Sequence, residues 1–109
     1  MTTDSHDEAY RELQREYLEE LPTALADLRR NVESFRRGEN VVPTLATGLH
    51  RLAGSGGSYG FPEISEIARA AEQLAASSSA SAGADQLEEA LRRLEAVLTA
   101  ARAQVAEGR

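Results

Sequence analysis

His50 to Phe61 reads HRLAGSGGSYGF, and the fold turns on how this stretch is taken. Upstream of it, Leu45, Leu49 and Leu52 recur at helical spacing. From Ala53 to Ser58 every side chain is then small. Glycine is about 1 kcal/mol worse than alanine inside a helix. Either the helix ends near His50, or it runs on because something requires bare backbone beside the imidazole. The second reading predicts a partner protein that approaches the ring closely. Gly60 reads as a C-terminal cap and Pro62 as a first-turn proline, which makes a sharp corner with Phe61 tucked beneath it.

Working outward, Asn40 is a suitable N-cap for the helix that carries His50, and Pro43 falls in its first turn. Val42, Leu45, Leu49, Leu52 and Gly56 form the core stripe. His50 lies about 100° around the helix from Leu49, off that stripe. Its neighbours on adjacent turns are Ala46, Ala53, Gly54 and Gly57, all small, where an exposed helical patch usually bears long polar side chains. Beyond the corner, Ile64, Ile67, Ala68, Ala71, Leu74 and Ala75 mark a further helix with a light face. The run SSSASAGA, residues 77–84, reads as a loop, and Asp85 with Glu88 as a capping box. Leu87, Leu91, Leu94, Leu98, Ala101 and Val105 then form the last stripe, fraying near Gly108.

Toward the N-terminus, Ser5 and Glu8 make a second capping box, followed by Tyr10, Leu13, Tyr17 and Leu21 at helical spacing. Pro22 is expected to break or bend this helix. Leu21, Leu25, Leu28, Val32 and Phe35 continue as a stripe that Gly38 ends. Leu18 lies beside the first stripe. No stretch alternates long enough for a sheet. The expected fold is all-α: an antiparallel up-down four-helix bundle with an additional N-terminal helical segment, one domain over residues 1–109.

The bulk properties narrow the function. The chain has 109 residues, no cysteine and a formal net charge of -6. Acidity argues against nucleic acid or an anionic membrane as partner. Without cysteine, and with its two histidines far apart, the chain offers no thiolate or histidine-rich metal site. No apolar run approaches a bilayer span, and the polar start MTTDSHDEAYRE carries no secretory signal, so a cytoplasmic protein is expected. Four amphipathic helices can satisfy one another, so a monomer is expected.

An imidazole titrates near neutrality and is an effective reversible nucleophile. It can take a phosphoryl group and pass it on, given an in-line donor and stabilisation of the charge in transit. A helix surface supplies little of that. The sequence has no Walker-type loop, no spaced carboxylate cluster and no basic cradle, so the catalytic apparatus would belong to a partner. Such a chain would be a carrier rather than a self-sufficient enzyme.

The stretch resembles the signature of histidine-containing phosphotransfer domains: a histidine, a hydrophobic residue two later, a glycine four later, small residues, and a glycine ten later. Here these are His50, Leu52, Gly54, Ser55 to Ser58, and Gly60. The resemblance implies that His50 is the phosphoacceptor. It implies that Gly54 leaves room for a receiver domain; Arg51, Ala53, Gly54 and Gly57, near His50 along the helix, are the residues expected around the phosphate or against the docked partner. It implies a bacterial phosphorelay, with a response-regulator receiver and a sensor or hybrid histidine kinase as partners. The chain itself would bind no cofactor, and Mg²⁺ would come with the receiver. Many members of the family carry lysine three residues after the histidine, where this chain has Ala53. Arg51 is near in sequence but projects about 100° away. The alternative reading is a module of this fold that binds a receiver or kinase without carrying phosphate. Two further readings are the histidine-bearing domain of a chemotaxis-type kinase and a purely structural helical protein, the latter leaving the glycines without a reason.

Overall fold

The computed structural model describes residues 4–77 and 80–106. Among them are four helices: α1 (Asp4–Arg36), α2 (Val42–Ser58), α3 (Pro62–Ser77) and α4 (Ala80–Ala106). Each packs on two others, α1 on α2 and α4, and α3 on α2 and α4, while the diagonal pairs stay apart. This is the four-helix bundle expected from the stripes. The buried leucines Leu21, Leu25, Leu28, Leu45, Leu49, Leu52, Leu87, Leu91, Leu94 and Leu98 sit where the helical spacing put them.

The two expected glycine caps share one geometry. At the end of α1, Gly38 has φ +81°, its N–H donates to the Phe35 carbonyl at 3.0 Å, and the Glu39 N–H donates to Ser34 at 3.0 Å. At the end of α2, Gly60 has φ +85°, its N–H donates to Gly57 at 3.2 Å, and the Phe61 N–H donates to Gly56 at 2.7 Å. Both are Schellman closures, in which a left-handed residue lets two amides satisfy the last helical carbonyls. At Gly60 an added Cβ would also lie 2.5 Å from the Tyr10 hydroxyl. Phe61 then accepts from the Ile64 N–H at 3.0 Å, and α3 starts on Pro62. The chain reverses there in a few residues, laying α3 antiparallel along α2.

Five expectations are corrected. Pro22 does not break the first helix: the N-terminal segment is helical, but it is continuous with the bundle helix over 33 residues. Proline cannot bond back to the Leu18 carbonyl. That carbonyl is met instead by the Arg102 guanidinium of α4, at 3.4 Å. Tertiary contact thus supplies the partner that the chain itself withholds.

Residues 80–84 are not loop but the first turns of α4, with Ala84 fully buried. Asp85 is therefore interior to the helix and caps nothing. It and Glu88 accept from Arg36 at 3.0 and 2.6 Å, tying the end of α1 to α4. Asn40 is not the cap of α2; Val41 holds that position, without a side-chain bond. Finally, the N-terminal stripe does not face the core along its whole length. Leu18 is buried, whereas Tyr10 and Leu13 are 43% and 47% exposed. At 1.5 Å per residue, α1 is about 50 Å long and overshoots the corner between α2 and α3. The side chains of Ser5 and His6, and Gly108, lie outside the described residues.

Candidate functional site

His50 stands on the outer surface of α2, its side chain 78% exposed. Leu49 and Leu52, on either side of it in sequence, are buried and fix the helix's rotation. The ring is held from α3: both carboxylate oxygens of Glu72 lie 3.4 Å from Nδ1. A carboxylate can only accept, so the neutral ring in this contact carries its proton on Nδ1. Nε2 then keeps its lone pair, on the edge of the ring turned away from Glu72. The arrangement is a nucleophilic nitrogen open to solvent, with its tautomer selected by a carboxylate on the adjacent helix.

The glycines around it divide by what a side chain would meet. At Gly54, one turn on from His50, an added Cβ would meet nothing within 4 Å. No internal packing demands glycine there, so its intrinsic cost to the helix is not recovered inside the molecule. Gly57 is also exposed, and a Cβ there would only touch Ser65 Oγ at 3.7 Å. Gly56 is different: its Cβ would come within 2.8 Å of Ile64 Cγ2 and 3.0 Å of the Ser65 amide nitrogen. It is a packing glycine that brings α2 and α3 together. Gly48 plays a similar part toward α1, where a Cβ would lie 3.0 Å from Leu28.

Of the residues expected around the ring, Gly54 and Gly57 share its open face. Ala53 does not, being 6% exposed and part of the core. Its helical angle lies between His50 and Leu49, which turns it into the seam with α3. Arg51 is exposed but on the opposite flank of α2, where it lines a groove of about 770 Å³ against α1. Glu19, Glu20 and Asp27 line the same groove. Ser55, also on that flank, shares a 2.9 Å hydrogen bond with the Tyr17 hydroxyl. Burial raises the Tyr17 pKa above its ordinary value, and the Ser55 bond acts in the other direction. Tyr17 stacks on Tyr59 with centroids 4.7 Å apart and on Phe61 at 5.9 Å. Gln14 also donates to the Tyr59 carbonyl, at 2.9 Å. These aromatics pack together at the corner between α2 and α3.

One residue that contacts the ring was not found from the sequence: Glu72 belongs to α3 and lies 22 residues from His50 along the chain. The signal was available in the Gly60 corner, which fixes the register in which α3 returns along α2.

A family model described as Hpt domain covers residues 12–104. No protein of curated function and no solved structure matches the chain. Among the described residues, no helix is long and apolar enough to cross a membrane.

Proposed function

The chain belongs to the Hpt domain family, and from that premise we propose that it is a histidine phosphotransfer protein of a two-component phosphorelay. It accepts a phosphoryl group on Nε2 of His50 from a receiver aspartate or a histidine kinase, and donates it to a receiver aspartate. The observation that carries this reading is His50 itself: 78% exposed, with Glu72 at 3.4 Å from Nδ1 and open space over Gly54.

The chemistry follows from those positions. The Nε2 lone pair attacks the phosphorus of an aspartyl phosphate in line with the bond to the carboxylate oxygen. The N–P bond forms, the P–O bond breaks, and the aspartate leaves with the electron pair as a carboxylate. The Nδ1 proton stays where it is, so the phosphorylated ring carries a positive charge that Glu72 faces and stabilises. The return step reverses this toward a second aspartate. Mg²⁺ and most of the groups that stabilise the transferring phosphoryl are the receiver's. The missing side chain at Gly54 lets that receiver close on the ring.

The test is transfer from receiver domains carrying aspartyl phosphate, with Mg²⁺, followed by radiolabel. An acid-labile, base-stable label is expected on the wild type. His50→Gln is expected to carry none while its circular dichroism keeps the helical signal. Label retained by His50→Gln would contradict the assignment. Receiver binding without label on either protein would move the chain to the non-catalytic module.

A further inference from the structure

We propose that Arg69 of α3 is the residue that holds the phosphoryl group once it stands on His50, an inference that rests on the carrier reading above. A phosphoryl group brings up to about two negative charges. It arrives beside Glu72, on a chain of net charge -6. Unmet, those charges repel one another across a few ångströms. The open face of α2 offers no cation, since Ala46, Gly54 and Gly57 border the ring, Ala53 is buried, and Arg51 is turned to the α1 groove. α3 contains one basic residue, Arg69.

The register places it. Gly57 faces Ser65 at the corner end, and His50 faces Glu72 two turns further along both helices. Arg69 lies between them, four residues after Ser65 and three before Glu72, level with Ala53 on α2. It is exposed, and its guanidinium donates to Ser65 Oγ at 3.1 Å. Among the described residues it makes no ion pair. A neutral hydroxyl holds it with an ordinary hydrogen bond, whereas bonds to an ionised phosphoryl oxygen are roughly twice as strong. The arm is parked beside the site, free to exchange the hydroxyl for two phosphoryl oxygens, which its planar fork matches. It remains charged throughout and moves no proton.

Phosphoramidate phosphorylates exposed imidazoles without a partner, so it serves as the probe. The full chain with His6→Gln has His50 as its one histidine, and ³¹P NMR then follows the second ionisation of the phosphoryl group. A single charge about 4 Å away in aqueous surroundings moves such a midpoint by about three-quarters of a unit. Arg69→Gln is expected to raise the midpoint by that amount, and Arg69→Lys to restore most of it. Arg51→Gln is expected to leave it in place. Equal midpoints in the parent and Arg69→Gln would overturn the assignment, as would a rise with Arg51→Gln alone. Because the label does not come from a receiver, failure of receiver transfer would strike the carrier reading without moving these midpoints. Midpoints indifferent to Arg69 would strike this inference alone.

Discussion

At Gly54, stability and access make opposite demands on one position. A Cβ there would meet nothing within 4 Å, so alanine fits without strain. Gly54→Ala is expected to stabilise the protein by about 0.5–1 kcal/mol, through helix propensity and a less free unfolded chain. Thermal unfolding reads this directly; a loss of stability would mean that the glycine has a packing role. Gly54→Arg is expected to keep the helical signal and slow labelling from a receiver at least tenfold, and unchanged transfer kinetics would refute the close approach. His50, Gly54 and Gly56 were legible in the sequence because their pattern lies within a few turns of one helix. Ala53 was misplaced because three residues along a helix gives nearness without direction. Its angle turns it into the seam with α3, where it is 6% exposed. Glu72 and Arg69 belong to a second helix, and no local spacing points to either.

Among the elements, α1 departs furthest from what local rules predict. A proline inside a helix costs about 3 kcal/mol in isolation. Here the Leu18 carbonyl that it strands receives Arg102 at 3.4 Å, so the helix runs through. Pro22→Ala is therefore expected to stabilise the bundle by about 1–3 kcal/mol, raising the melting temperature by about 4–8 °C per kcal/mol. A neutral or lower melting temperature would favour a chain that bends at Pro22. The start of α4 has the same lesson. The run SSSASAGA, residues 77–84, suggests a loop, yet α4 starts at Ala80, Ala84 is fully buried and Asp85 and Glu88 bind Arg36. Local composition reads punctuation well where the backbone itself must change hand, as at Gly38 and Gly60. It reads poorly where a distant side chain supplies the missing partner.

At the scale of the molecule, the bundle is a rod of 55 × 19 × 18 Å with the His50 ring on the flank rather than in a cleft. The long helices α1 and α4 hold the shorter pair α2 and α3, and the Gly60 corner sets the register that brings Glu72 to His50. The four-stripe core was readable because each helix buries one periodic face. The assembled site was not, because it is made by pairing two faces across a corner. Because Glu72 lies 3.4 Å from Nδ1, the proposed phosphoryl group is expected on the other nitrogen of the ring. The most direct measurement is a ¹⁵N–³¹P correlation by NMR on uniformly ¹⁵N-labelled chain that has taken its phosphoryl group from a receiver. Coupling of phosphorus to Nε2 of His50 is the expected result. Phosphorus on Nδ1, or on any residue other than His50, would contradict the account.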